Sequence, residues 1–419
     1  MIKRVIGFIM IIMLSFTNAT QINDKQNDLQ PNDLKPNDII QQMNDLTSKD
    51  ISTAPSNFLE TNKILNPIEN TKEEPSIVEN IESDNTDKPG GIDPIDEKIQ
   101  IDDEEPVEII ISYAGDCTIG TDESFSYTNS FPYRFDKVGN DNGYFFDGVS
   151  SIFQEDDLTL VNLETTFTTA TKKAEKKFRF KGPPSYVNIL TEGSVEMVNI
   201  SNNHIYDYLG KGFNETLKTL DDAGIAYSGE GVIAYFETHG ITIASIGYNG
   251  WNTGIKKSVS KDIAAARAAA DIVIVSFHWG IERTFYPNTT QTSLGRYAID
   301  QGADVVVGHH PHVIQGVEKY NGKYIVYSLG NFCFGGNRNP AEKDTFIFQT
   351  RFVFESKNQV EEVKAEGVII PCRISSVNNV NDYQPTIIKD KERDRIIGRI
   401  LNYSRKLKYG IKKEDVIFQ

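Results

Sequence analysis

The chain has 419 residues, 43 of them Lys or Arg and 59 Asp or Glu, for a formal net charge of −16. That length suffices for one large domain or two ordinary ones, and no nucleic-acid partner is expected. Three widely spaced cysteines, Cys117, Cys333 and Cys372, exclude a disulfide framework.

Residues 1–19, MIKRVIGFIMIIMLSFTNA, set a basic start at Lys3 and Arg4 before an apolar run from Val5 to Phe16 and a small-residue end at Thr17-Asn18-Ala19. The pattern predicts a secretory signal or an uncleaved N-terminal membrane anchor. The run of about a dozen residues is short of the roughly 20 that a bilayer span needs. Either reading puts the rest of the protein outside the cytoplasm, anchored at the cell surface or secreted. Residues 20–105 are rich in Asn, Asp, Pro, Gln, Glu and Ser, and PNDLKPND repeats itself at Pro31 to Asp38. Such a segment buries too little apolar surface to offset its chain entropy, so it reads as a disordered tether. Residues 1–105 hold 9 basic and 21 acidic residues, a net of −12, which leaves −4 for residues 106–419. The acidity belongs mainly to the tether, which as a flexible coil spans on the order of 50 Å.

From Pro106 short apolar runs alternate with helical stretches, and residues 106–375 read as the folded domain. Strands are predicted at Val107 to Tyr113, Leu158 to Val161, Val195 to Ile200, Ile241 to Ile246, Asp271 to Phe277, Asp304 to Val307 and Tyr324 to Leu329. Amphipathic helices are predicted at Leu209 to Ala223, Lys261 to Ala270 and Thr292 to Gln301. Continuous β-branched strands between helices indicate a largely parallel, buried sheet. Thr345 to Phe354 alternates like an antiparallel strand of a second sheet. Residues 376–419 read as a C-terminal extension with a basic helix from Asp390 to Lys408.

The polar residues gather where the strands stop: Asp116 after the first, Asn162 and Glu164 after the second, Asn203 and His204 after the third. Then come His278 and Glu282, and finally His309, His310 and His312. In open α/β sheets the carboxyl ends of strands line one crevice, where ligands bind. Five of the six histidines lie at these ends. Carboxylate, amide and imidazole donors without thiolates point to a site for one or two divalent ions: Mn, Fe, Zn or Mg. The assigned ligands are Asp116, Glu164, Asn203, His278, His310 and His312, and Glu164 has two oxygens with which to bridge two ions. In an extended turn His310 and His312 face one side and His309 the other, although a pairing of His309 with His312 competes. His204 is the candidate general acid, oriented by Asp207. Asn162, Arg179, Lys181, Glu282 and His309 are assigned to substrate, the two cations because KKFRFKGPP alternates like a strand and suits an anionic ligand. The run Lys172 to Lys177 reads as a solvated loop.

At these residues the chain resembles the CapA, or PgsA, family of poly-γ-glutamate capsule biosynthesis proteins. The resemblance is carried by AGDCTIG at Ala114 to Gly120, VNLETTFT at Val161 to Thr168, NISNNHIYDYLGKG at Asn199 to Gly212, SFHWGIE at Ser276 to Glu282, and the stretch Asp304 to Phe332. It implies a metallophosphatase-like fold, a four-layer α/β/β/α sandwich of two mixed sheets with a metal site between them. The first motif of the phosphatases carries a histidine where this chain has Thr118, and their bridging aspartate is replaced by Glu164. The resemblance further implies an anionic extracellular polymer as ligand and membrane synthase subunits as partners. Three functions are therefore expected: synthesis, transport or processing of that polymer; metal-dependent hydrolysis of an exported phosphate ester; or polymer binding by a non-catalytic scaffold.

Overall fold

A computed structural model describes residues 64–65, 106–354 and 364–419. The signal-like segment 1–19 lies outside the described residues. So does the tether, apart from Ile64–Leu65, which runs parallel to Tyr235–Phe236. No helix among the described residues is long and apolar enough to cross a membrane.

The strands that carry the architecture are β1 (Val107–Thr118), β2 (Leu158–Leu163), β3 (Met197–Asn199), β4 (Ala226–Ser228), β5 (Ile233–Thr238), β6 (Ile241–Asn249), β7 (Ile272–His278), β8 (Val305–His309), β9 (Val317–Tyr320), β10 (Lys323–Val326), β11 (Asn331–Phe334), β12 (Asp344–Phe354) and β13 (Lys364–Arg373). The long helices are α1 (Leu209–Ala223), α2 (Lys256–Arg267), α3 (Thr289–Asp300) and α4 (Asp390–Ser404). One sheet runs β5-β6-β7-β8-β10-β9, parallel from β6 to β10 and antiparallel at both flanks. The other runs β13-β12-β1-β2-β3-β4, parallel from β1 to β4, with β11 added parallel to the end of β1.

The period of two along each strand divides its side chains between two layers of core. Ile109 and Ile111 of β1, Leu158 and Leu160 of β2, Ile272 and Ile274 of β7, and Val305 and Val307 of β8 meet in one buried cluster, which places it between the sheets. The alternate residues face outward. Val161, Leu163 and Val198 pack with Leu220 of α1 on one side. Val273, Val275 and Val306 pack with Ile263 of α2 and Leu294 of α3 on the other. Each such side chain contributes about 1.5–3 kcal/mol by leaving water, and the result is four layers, α/β/β/α.

Helix α1 keeps its predicted limits because Gly224, at φ +72°, ends it in a left-handed cap. Helix α3 begins three residues before its predicted start, because Asn288 and Gln291 form a capping box there. The C-terminal extension shares the core: Ile396 and Ile400 of α4 join the inter-sheet cluster, and Thr386–Ile387 and Ile417–Phe418 pair with β13.

Candidate metal centre

The alternation that builds the core also delivers the polar residues. Beyond Ile272 and Ile274, the inward positions of β7 are Ser276 and His278; beyond Val305 and Val307, β8 turns His309 inward. Strict alternation from Tyr113 would face Cys117 into the crevice. A register irregularity between Tyr113 and Asp116 shifts the phase, so Cys117 packs in the outer core and Asp116 faces the crevice. Two rows result. Asn331, Asp116, Asn162 and Asn199 are neighbours across β11, β1, β2 and β3. Asn249, His278 and His309 are neighbours across β6, β7 and β8.

Asn162 donates to Asp116 Oδ1 at 2.8 Å and accepts from Asn199 Nδ2 at 2.9 Å, which fixes the carboxylate. The His310 backbone N–H lies 3.3 Å from Asp116 Oδ2. Glu164 Oε1 is 3.6 Å from His278 Nε2, 3.8 Å from His312 Nε2 and 3.9 Å from His204 Nε2. Asn203 Oδ1 meets His278 Nε2 at 2.7 Å. His204 Nδ1 is 2.7 Å from Asp207 Oδ2. Lys176 pairs with the other oxygen of Asp207 and donates to the Asn203 carbonyl at 2.6 Å. The edge of Trp251 covers His310, with ring centroids 4.8 Å apart.

Burial drives the His278 pKa well below its usual value and lowers those of His309 and His310 to about 4. These imidazoles are neutral, the form that binds metals. Burial would also lower His312, but Glu164 and then Asp116 raise it to about 10. Burial raises the Glu164 carboxyl well above the usual range, and Asp116 adds to this against the opposing charge of His312. For Asp116 burial raises the pKa, yet the hydrogen bond and charge of His312 outweigh it and hold the group low.

Both Glu164 oxygens, both His309 ring nitrogens and His310 Nδ1 are buried with no hydrogen-bond partner. Orphaned polar groups of this kind are costly unless something else engages them. Three groups of donor atoms, each within 4.8 Å of one another, could hold a metal ion: Glu164, His278 and His310; Asp116, Glu164 and His312; and Glu282, His310 and His312. Glu164 belongs to two of them. The residues fit a divalent cation by donor type, spacing and unmet demand.

Residues 110–336 match the family described as bacterial capsule synthesis protein PGA_cap. The chain belongs to that family. It is 36% identical over 213 residues to the PGA biosynthesis protein CapA of Bacillus subtilis (strain 168), covering 45% of this chain and 56% of that protein. To the capsule biosynthesis protein CapA of Bacillus anthracis it is 31% identical over 220 residues, covering 46% and 54%. The chain thus spans about half the length of these curated relatives. Among solved structures it is similar to a 5′-nucleotidase from Candida albicans SC5314, at 12% identity and a TM-score of 0.35, over 72% of this chain and 58% of that one. All the residues assigned to metal lie within the PGA_cap segment, and α4 lies beyond it.

The structure gathers Asp116, Glu164, Asn203, His204, Asp207, His278, His310 and His312 around one point. His310 and His312 do not converge by strand alternation as expected. Their φ values of +93° and +56° place them in a strained turn, which brings both rings to the site. His309 is not turned away: it ends β8, fully buried, with Nδ1 3.6 Å from Asp116 Oδ1. Neither His309 nor Asn162 reaches the mouth, since both are fully buried behind the ligands; Glu282 is exposed there. Arg179 and Lys181 do not face the centre either. Phe180 between them packs on His204, with ring centroids 4.5 Å apart, while Arg179 donates to the Lys176 carbonyl and Lys181 to that of Ala170. Sequence reasoning missed Lys176, Trp251 and Asn331. Asn331 had a signal, since it follows a predicted strand within the resembling stretch; Lys176, inside a run of lysines, had none.

Proposed function

We propose that this protein acts outside the cytoplasm in the synthesis or processing of an anionic polymer, poly-γ-glutamate, through a divalent-metal centre. The observation that carries the chemistry is the unpartnered, fully buried Glu164 carboxyl, whose Oε1 faces His278, His312 and His204. Membership of the PGA_cap family and the names of the two Bacillus relatives support the polymer.

Asp116, Glu164, Asn203, His278, His310 and His312 would hold the ions, which supply Lewis acidity toward an acyl or phosphoryl oxygen. The chain's own part is positioning and proton handling. Asp207 holds His204 by Nδ1, so Nε2 points at Glu164 and is the atom that takes or gives a proton. Lys176 holds the far oxygen of Asp207, and Phe180 donates its backbone N–H to the near one at 2.6 Å, so the dyad cannot swing away. Trp251 packs in T-shaped contacts against both His278 and His310.

The test is polymer output in the native host carrying only the His204→Ala, His312→Ala double variant at matched protein level. Loss by on the order of 100-fold or more is expected if proton transfer at His204 is part of the reaction. Normal output would overturn the catalytic reading and leave a polymer-binding scaffold. Turnover of model phosphodiesters by the purified protein, abolished by His310→Ala without effect on polymer, would redirect the assignment to a phosphoesterase.

A further inference from the structure

We propose that Asn331 is a positioning residue that fixes which nitrogen of His312 is offered to metal; this rests on the metal-centre reading above. Asn331 opens β11, in register with Asp116. The approach is close: the Asp116 N–H donates to the Gly330 carbonyl at 2.9 Å, and a Cβ on Gly115 would collide with that oxygen. Gly330 itself sits at φ +80°. Two glycines therefore let β11 slide against β1 and bring the Asn331 side chain beneath the histidine turn.

The side chain then grips His312 twice. Asn331 Nδ2 is 3.3 Å from the His312 backbone carbonyl, and Oδ1 is 2.9 Å from His312 Nδ1. A carbonyl oxygen only accepts, so the amide nitrogen must be the atom that faces it. That leaves the amide oxygen, also only an acceptor, against the ring. His312 Nδ1 must then carry the hydrogen, which it shares with Asp116 Oδ2 at 3.1 Å. Nε2 is the nitrogen left for coordination, and it is the one that faces Glu164 Oε1 at 3.8 Å. A hydrogen bond that sets the tautomer and the plane of a ligating imidazole raises metal affinity by 10- to 100-fold in typical sites. The backbone clasp has a second consequence: it holds His312 at φ +56°, a conformation a histidine seldom adopts unaided.

The experiment compares the full chain as wild type, Asn331→Leu and Asn331→Asp by titration with Zn2+ and with Co2+, reading affinity and the Co2+ visible spectrum. Asn331→Leu keeps the volume and loses the acceptor; it is expected to bind Zn2+ about 10- to 100-fold more weakly and to change the Co2+ bands. Asn331→Asp keeps the acceptor for Nδ1 and loses the donor to the His312 carbonyl; it is expected to bind Zn2+ at least about threefold more tightly than Asn331→Leu, a recovery that packing alone would not give. Equal Zn2+ affinity in wild type and Asn331→Leu would overturn the proposal and leave the metal centre standing. Equal weakening by both variants would also overturn it. A wild type that binds neither ion would overturn the centre and the proposal together. Should Asn331→Leu fail to fold, Asn331→Ser, which cannot reach Nδ1, takes its place with the same expected loss.

Discussion

Replacing Glu164 by Gln should move stability in opposite directions with and without metal. Asp116 and Glu164 are two fully buried carboxyls facing His312, and neither Glu164 oxygen has a hydrogen-bond partner. Leaving a buried polar group unsatisfied costs about 1–3 kcal/mol, more when it is charged. Burial raises the Glu164 pKa, so ionising it costs stability as pH rises above its unfolded value of about 4.3. In EDTA at pH 7.5, Glu164→Gln should therefore raise Tm by roughly 2–12 °C, at about 2–4 °C per kcal/mol for a domain of this size. The gain should shrink toward pH 4. With Mn2+ or Zn2+ the sign reverses. An ion at 100 times its Kd stabilises the wild type by about 2.7 kcal/mol, and each tenfold loss of affinity removes about 1.4 kcal/mol of that. Glu164 touches two donor groups, so the metal-induced rise should largely vanish in the variant. Differential scanning fluorimetry in both buffers reads both signs. A lower Tm in EDTA would show that the Glu164 carboxyl is not an unmet buried group, and an undiminished metal-induced rise would show that it is not a ligand.

Lys176→Met removes the cation from the fully buried Asp207; because the lysine is about a third exposed, the loss should be about 1–2 kcal/mol by urea denaturation, and no loss would contradict the pairing. Burial pushes the Asp156 carboxyl up to about 8, and its Oδ1 has no partner. A raised acid pKa means that the fold loses stability as pH climbs from about 4 to about 8, so Asp156→Asn should stabilise by roughly 1–3 kcal/mol at pH 8 and much less at pH 5. Equal effects at the two pH values would exclude that cause. Gly115→Ala places a methyl against the Gly330 carbonyl and should cost more than about 3 kcal/mol. It should also displace Asn331, so Zn2+ affinity in any folded fraction should fall with stability.

Much of the centre was legible because polar residues at strand ends follow from the same alternation that makes the strands. Ile272 and Ile274 inward imply His278 inward, and Leu158 and Leu160 imply Asn162. The register irregularity before Asp116 leaves no such trace, since Ala114 and Gly115 are compatible with a continuous strand. The histidine turn was legible in composition and not in geometry. An extended path predicted two histidines on one side, whereas positive φ at His310 and His312 achieves the convergence. Lys176 was hidden because a lysine among lysines is ordinarily solvated. Arg179 and Lys181 were misplaced by phase: Phe180, between them, takes the inward position of that short strand.

The measurement that bears most directly on the account is metal content by inductively coupled plasma mass spectrometry, on protein purified without chelators, for wild type and His310→Ala, His312→Ala. Near-stoichiometric divalent metal in the wild type, lost in the variant, is the predicted result. Wild type that carries no metal, and takes up none on dialysis against Mn2+, Zn2+ or Mg2+, would contradict it.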